Sequence, residues 1–164
     1  FFTANGRGAS VFGLEAAGSF ALSREWSLHG SLAEMESDLD RFVLTNGSVG
    51  GSRRLANSPR HGGTAEVRYR GTDGWFSNSG WVGRSAQYDS NNHNAQRRAF
   101  GVFNATLVRT VGAWTLTLWG RNLGDAFYDK RVFFFGNEDP DYIEKRYVSR
   151  ADPRQFGATV SYRF

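Results

Sequence analysis

Apolar and polar residues alternate with a period of two along most of the chain, which is the pattern of β-strands and not of helices. The alternation is clear in segments 11–22, 26–33, 64–70, 114–121 and 155–164. It is weaker in segments 99–110 and 75–88, and in the latter the pattern does not assign the two faces. The sequence therefore predicts seven antiparallel strands and no amphipathic helix.

The connections between these predicted strands alternate between short and long. Turns of about three or four residues follow the first, third and fifth strands. The remaining connections are the long segments 34–63, 89–98 and 122–153. Loops of this length are uncommon inside compact soluble domains, whereas outer-membrane β-barrels have short turns at one end and long loops at the other. We therefore expect a transmembrane β-barrel fold.

Aromatic residues cluster at the ends of strands that meet the short turns. Trp26, Trp75 and Trp114 each begin a strand after such a turn, and Tyr69 lies just before one. In a membrane barrel these positions form a belt at one bilayer interface, where amphipathic rings are stable. In a soluble barrel they would cap one end of the core.

The two faces of the predicted strands differ in charge. The even-numbered faces of the first, second, sixth and seventh strands carry none, as a surface facing hydrocarbon requires. The charged residues of the strands fall on the other face: Glu15, Arg68, Arg70, Arg121 and Arg163. A soluble barrel of the lipocalin type would turn the apolar face inward. The alternation does not separate the two cases, but the loop asymmetry and the tryptophans favour the membrane barrel.

Composition excludes several other classes of protein. The chain has 164 residues, 25 of them aromatic (14 Phe, 5 Trp and 6 Tyr), and no Cys, which excludes disulfides and thiolate metal sites. The net charge is +4, but basic residues form no run longer than a pair, so a nucleic-acid partner is not expected. The three His share no metal-ligand spacing, and no catalytic constellation is recognisable, so we expect neither an enzyme nor a cofactor.

Four segments resemble motifs of the TonB-dependent outer-membrane receptors. The segment 152–164 resembles the family's last strand, and 120–128 resembles its penultimate-strand Asn-Leu-x-Asp motif. The segment 57–61 resembles an Asn-x-Pro-x-His element, and 13–15, preceded by Asn5 and Gly8, resembles a Gly-x-Glu strand start. In that family terminal aromatics, here Tyr162 and Phe164, form the signal read by the barrel-assembly machinery.

The resemblance implies that residues 1–164 are the C-terminal portion of a barrel of about 22 strands with a plug domain inside, and neither the plug nor a TonB box is recognisable here. An odd number of passes also favours a portion of a larger barrel, because complete bacterial barrels have even strand counts. The family implies active uptake of a ferric siderophore or another large scarce nutrient (cobalamin, haem, oligosaccharide) across the Gram-negative outer membrane, driven by TonB–ExbB–ExbD. Two alternatives stay open: a complete eight-stranded barrel, structural or adhesive, and a soluble lipid-binding barrel.

The long loops supply the candidate ligand contacts. These are five loop cations and one histidine: Arg53, Arg54, His93, Arg97, Arg98 and Arg131. Loop cations can attract an anionic chelate over a distance, but they can also pair with lipopolysaccharide phosphates or simply be solvated. The apolar run Phe133–Phe135 is expected to extend the sixth strand, the alternatives being packing on neighbouring loops or contact with a hydrophobic ligand.

Overall fold

The computed structural model describes residues 8–44 and 46–164 and is all-β. Asn5 of the Gly-x-Glu motif lies outside the described residues. No helix in this part of the chain is long and apolar enough to cross a membrane. The strands, in chain order, are β1 (Ala9–Ala21), β2 (Trp26–Leu39), β3 (Phe42–Val43), β4 (Val49–Gly50), β5 (His61–Arg70), β6 (Trp75–Arg84), β7 (Gln87–Tyr88), β8 (Gln96–Arg97), β9 (Phe100–Val111), β10 (Trp114–Arg121), β11 (Asp129–Phe135), β12 (Lys145–Arg150) and β13 (Gln155–Tyr162).

Seven of these strands form one antiparallel sheet in the order β1-β2-β5-β6-β9-β10-β13. They correspond one to one to the seven predicted strands. β2 is longer than predicted, since it continues to Leu39, and β6 is shorter, since it ends at Arg84. β1 and β13 do not pair with each other in the described part of the chain, so the sheet is open. An open sheet of this kind fits a portion of a larger barrel.

The short turns join neighbouring strands at one end of the sheet, hereafter the turn end. Gly74, with φ of 87°, ends the turn between β5 and β6, and Gly112, with φ of 57°, is the first central residue of the turn between β9 and β10. A positive φ at Gly112 but not at the following Ala113 is the type II′ geometry, which matches the twist of a hairpin and which glycine adopts without strain. Between β1 and β2 the Ser23 hydroxyl accepts the backbone N–H of Glu25 and Trp26 at 3.1 Å each.

The strand register places most of the large apolar side chains of the seven strands on one face, hereafter the apolar face. Phe20 lies opposite Leu28, which lies opposite Val67, and Leu107 lies opposite Leu118. The register also assigns β6, which the pattern left open: Trp75 and Trp81 share the apolar face with Ser77 and Ser79. The other face, hereafter the polar face, carries Ser, Thr, Asn and charged residues, among them Glu15, Glu66, Arg68, Asn78 and Thr117.

The apolar face points away from the protein. In β10 the side chains of Leu116 and Leu118 are 41% and 45% exposed, while the intervening Thr115 and Thr117 are half-buried, as expected when the apolar face is the convex side of a curved sheet. In the described part of the chain Leu39 and Val102 are the buried apolar residues, and no large side chain is fully buried. A soluble barrel of this size needs an apolar interior, and this sheet has none.

Each long connection contains a hairpin at the loop end of the sheet. β3 pairs with β4, β7 with β8, and β11 with β12. The prediction that Phe133–Phe135 extend the sixth strand is wrong, because β10 ends at Arg121 and the run belongs to the separate β11–β12 hairpin. There it packs on a neighbouring loop, since the Phe134 ring stacks on His93 with ring centroids 3.5 Å apart.

Candidate functional site

The three hairpin loops meet above the sheet and enclose a hollow of about 800 Å³, within the usual size range of small-molecule sites. The first loop contributes Val43 and Leu44, the second Asn92 and His93, and the third Phe134, Phe135 and Glu144. The wall therefore combines aromatic and aliphatic surface with amide, imidazole and carboxylate groups. A hollow of this composition suits a ligand that is partly apolar and offers hydrogen-bonding groups at its edge.

His93 is the one predicted ligand residue that lines this hollow. Its Nδ1 lies 3.0 Å from the Ser90 hydroxyl and its Nε2 lies 3.1 Å from the Glu144 carboxylate, so both ring nitrogens have protein partners. Stacking on Phe134 then fixes the ring plane, with 7° between the rings. In the described part of the chain no group of three His, Cys, Asp or Glu is arranged to hold a metal ion. The imidazole therefore shapes the wall and connects the second loop to the third.

A buried carboxylate beneath the hollow ties the loops together. The Asp89 side chain has no exposed surface; its Oδ1 lies 3.0 Å from Arg97 Nε and its Oδ2 lies 2.9 Å from Arg146 Nε. Arg146 Nη2 also lies 3.1 Å from Oδ2 of the Asp129 carboxylate. Burial opposes the charge of Arg146, but its hydrogen bonds to Asp89 and Asp129 outweigh that effect and raise the pKa of the guanidinium. The second and third loops are thus joined by a charge network with little solvent screening.

Arg97 and Arg53 extend these connections to the first loop. Arg97 donates to the Asn57 side-chain oxygen and to the Lys130 carbonyl. Arg53 donates to Asn94 Oδ1 at 2.9 Å and to the carbonyls of Ser90 and Asn91, and its guanidinium lies 3.9 Å from the centre of the Phe42 ring. Burial lowers the pKa of Arg53, and the nearby Tyr88 partly offsets this. Both cations are therefore occupied in holding loop to loop.

The other three predicted cations are arranged differently. Arg98 lines a smaller hollow of about 250 Å³ beside Tyr128 and Arg150, and Arg131 is exposed on β11. Arg54 is half-buried in the first loop. None of the three makes a side-chain hydrogen bond or ion pair with the described residues, so their guanidinium groups are available to a ligand or to solvent.

The Asn-Leu-x-Asp motif is a structural device that closes the third loop. Asn122, which is buried and has φ of 49°, donates its side-chain amide to the carbonyls of Ala126 and Asp152 and accepts the Ala126 N–H. Asp125 accepts the Arg154 N–H at 2.9 Å. The loop therefore returns to the sheet beside its starting point, and the motif positions the start of β13.

The predicted belt residues lie together at the turn end of the apolar face. Trp26 lies opposite Tyr69, with ring centroids 4.8 Å apart, and Trp75 lies two residues nearer to the turn than Ser77, the partner of Tyr69. Trp114 lies opposite Tyr162, and the ring centroids of Tyr162 and Phe164 are 5.2 Å apart. The residues expected to form the interface belt and the assembly signal thus lie at the same end of the apolar face, in two groups of rings separated by β9.

The polar face has a hollow of its own, of about 480 Å³, at mid-strand. Its lining includes His29, Glu66, Arg68 and Asn78. His29 lies opposite Glu66 in the register and hydrogen-bonds to Ser27 at 3.0 Å, while Asn78 Oδ1 is buried without a partner in the described residues. This face is polar enough to meet water or another polar protein surface.

Sequence reasoning missed the residues that organise the loops, chiefly Asp89, Asp129, Arg146 and Glu144. A lone Asp or Arg in a long loop has no periodic pattern around it. The available signal was in the composition of two loops: segment 122–153 is rich in Asp, Glu and Arg, and segment 89–98 contains the pair Arg97 and Arg98.

No protein-family model and no curated protein matches the sequence. Solved structures do match. The siderophore receptor PiuA from Acinetobacter baumannii is 16% identical with a TM-score of 0.71, over 93% of this chain and 21% of that one. The ferric yersiniabactin uptake receptor FyuA from Yersinia pestis is 14% identical with a TM-score of 0.74, over 95% of this chain and 24% of that one. The ferric-catecholate import receptor Fiu from E. coli K12 is 20% identical with a TM-score of 0.71, over 95% of this chain and 21% of that one.

The fold is that of a TonB-dependent receptor barrel. The match covers nearly the whole of this chain but only about a fifth to a quarter of each receptor, which agrees with the open sheet. The predicted fold class, an antiparallel transmembrane β-barrel of which these strands form one part, is confirmed.

Proposed function

We propose that residues 1–164 are the C-terminal barrel portion of a TonB-dependent receptor that takes up a ferric siderophore, or a similarly large scarce nutrient, across the outer membrane of a Gram-negative bacterium. The observation that carries the proposal is the asymmetry of the sheet. One end has tight turns, while at the other three hairpin loops interlock around a hollow of about 800 Å³. A purely structural barrel has no need of such a cavity.

Other features support the same function. The convex apolar face matches a lipid environment, and the polar face matches an aqueous lumen that holds a plug domain. TonB–ExbB–ExbD would act on the plug and not on these strands. The barrel-assembly machinery would read Tyr162 and Phe164, and lipopolysaccharide would surround the loop end of the apolar face.

The wall of the hollow favours a ligand with aromatic or aliphatic surface, since Phe134, Phe135, Val43 and Leu44 line it. Many iron chelates have such surface together with an overall negative charge. The free guanidinium groups of Arg54, Arg98 and Arg131 would attract such an anion to the loop end of the barrel. This attraction would weaken as salt is added.

The test uses the full-length receptor. Binding of ferric siderophores, cobalamin, haem and oligosaccharides is measured by tryptophan fluorescence quenching, and uptake of the bound compound is measured in cells with and without TonB. We expect one ferric siderophore to bind and its uptake to require TonB. If no compound of the panel binds, or if uptake proceeds equally without TonB, the proposal is wrong.

Two variants locate the ligand. Phe135→Ala removes one wall ring and is expected to weaken binding about tenfold, through lost apolar contact. Phe127→Ala is the matched control, because Phe127 lies in the same loop, is 77% exposed and does not line the hollow. If the two variants bind the ligand with equal affinity, the ligand binds somewhere other than this hollow.

A further inference from the structure

One charged residue stands on the apolar face among the aromatic rings of the turn end. Arg109 in β9 lies opposite Trp75 on one side and opposite Leu116 on the other. On the described strands of the sheet, every other residue of this face from the turn end up to Leu32 is uncharged. An arginine that faces hydrocarbon at mid-bilayer is strongly unfavourable, but the cost is small near the interface. A charge at this position is therefore tolerated, because the turn end lies at the interface, where polar lipid groups are within reach.

The guanidinium is bent toward the turn and only partly paired. Its Cζ lies 4.9 Å from the centre of the Trp75 ring. Its Nη1 donates to the Asp73 carbonyl and lies 3.5 Å from the Asp73 carboxylate. Nε and Nη2 have no hydrogen-bond partner in the described residues, and the side chain is 33% exposed. Two N–H groups of the planar guanidinium, at Nε and Nη2, are thus free to donate hydrogen bonds and lie beside the Trp75 indole.

The surface around this fork is apolar and open. Val111, Trp114 and Leu116 are 58%, 56% and 41% exposed, and all three lie on the same face as Arg109. A small soluble anion would gain nothing from these side chains. A ligand with a phosphate attached to acyl chains would use both parts of the surface, because a guanidinium binds a phosphate with two parallel hydrogen bonds and apolar side chains bind the chains.

We propose that Arg109 binds the phosphate of a phospholipid in the leaflet at the turn end of the barrel. Nε and Nη2 donate to two phosphate oxygens, the Trp75 indole covers the guanidinium, and Val111 and Leu116 contact the glycerol and the first methylenes. Asp73 lies beside the phosphate and weakens its binding, so the site is moderate in strength. The inference rests on the membrane-barrel part of the proposed function and is independent of the transported solute.

The test measures lipid retention by the full-length receptor in detergent, by native mass spectrometry, with phosphatidylglycerol, diacylglycerol and inorganic phosphate as probes. We expect the wild-type receptor to retain phosphatidylglycerol and not diacylglycerol, and inorganic phosphate at the same concentration to leave the lipid in place. Arg109→Gln is expected to weaken retention about fivefold, the effect of one cation at a membrane surface.

Arg70→Gln is the matched control, because Arg70 lies at the same end of the sheet but on the polar face, opposite Phe76. It should retain the lipid as the wild type does. Equal retention by Arg109→Gln and wild type, or equal retention of phosphatidylglycerol and diacylglycerol by the wild type, would overturn the inference. Folding of each variant is checked by its migration on cold and heated SDS gels.

Asp73→Asn gives a second arm that does not depend on removing the arginine. If Arg109 served only to clamp the turn through Asp73, this variant would leave lipid retention unchanged, and that result also overturns the inference. We expect a severalfold increase, since the competing negative charge is gone. Solute binding is measured on the same samples, so that loss of the lipid site with solute binding intact is distinguished from failure of the proposed function.

Discussion

The carboxylate of Asp89 and the guanidinium of Arg146 lie 2.9 Å apart, although 57 residues separate them in the chain. The Asp89 side chain is fully buried, and Arg97, also largely buried, approaches its other oxygen. Removing one partner of a buried ion pair is costly because it leaves a charge without compensation. We therefore expect this one carboxylate to restrain the second and third loops.

Asp89→Asn is expected to lower the free energy of local opening of the second and third loops by about 3 kcal/mol, while the sheet below stays folded. Hydrogen exchange of the full-length receptor checks this, with faster exchange expected in residues 85–99 and 122–154 and no change in β9 and β10. Asp141→Asn is the control, since Asp141 is exposed at the tip of the third loop. Unchanged exchange in both loops would show that the network is not what holds them.

Asn122→Ala tests the closing motif of the third loop. The change removes three hydrogen bonds of a buried amide and places alanine at φ of 49°, which it tolerates less well than asparagine. We expect a loss of about 2–4 kcal/mol in the free energy of unfolding. The temperature at which the barrel loses its compact migration on SDS gels measures this. Asn137→Ala, at an exposed position of the same loop, should leave that temperature within a degree or two.

The seven strands and their order along the chain could be predicted, because alternation and tight turns are local properties of sequence. The faces of β6 could not be assigned, since Ser77 and Ser79 are polar yet lie on the apolar face between Trp75 and Trp81. The loop contacts were also beyond prediction. The hairpin of β11 and β12 carries Arg146 back to Asp89, and no short-range pattern encodes that return. Of the predicted cations, Arg53 and Arg97 are used to join loops, a role that charge alone does not reveal.

The aromatic residues at the turn end are expected to lie at the headgroup level of the bilayer. In single-tryptophan variants of the full-length receptor, Trp26, Trp75 and Trp114 should be quenched most by phospholipids brominated near the headgroup, because they lie on the apolar face at the strand ends. Trp119 lies on the polar face, opposite Gly157, and should not be quenched. Strong quenching of Trp119 with none of Trp114 would mean that the two faces of the sheet are assigned the wrong way round.

The tip of the third loop is expected to respond to pH through Glu138. Hydrogen bonds from Lys145 and Tyr147, together with the Lys145 charge, lower the pKa of Glu138, and the same contacts raise the pKa of Lys145 and of Tyr147. A carboxylate with a lowered folded-state pKa contributes stability above its unfolded value of about 4.3, and this is lost as pH falls through the lower folded value. The raised pKa values contribute stability below about 10, which is lost at higher pH.

A spin label on a cysteine introduced at Asp141, in a chain that has no native Cys, reports this change. We expect restricted motion at neutral pH, and faster motion in acid, at a pH below the ordinary Glu value of about 4.3, as Glu138 takes up a proton and its contacts to Lys145 and Tyr147 weaken. In the Glu138→Gln variant the label should be mobile at neutral pH as well, and its spectrum should lose the acid transition. If the variant keeps that transition, another group governs the loop tip, and the nearby Asp139 carboxyl, which raises the pKa of Tyr142 by a hydrogen bond, becomes the group to test.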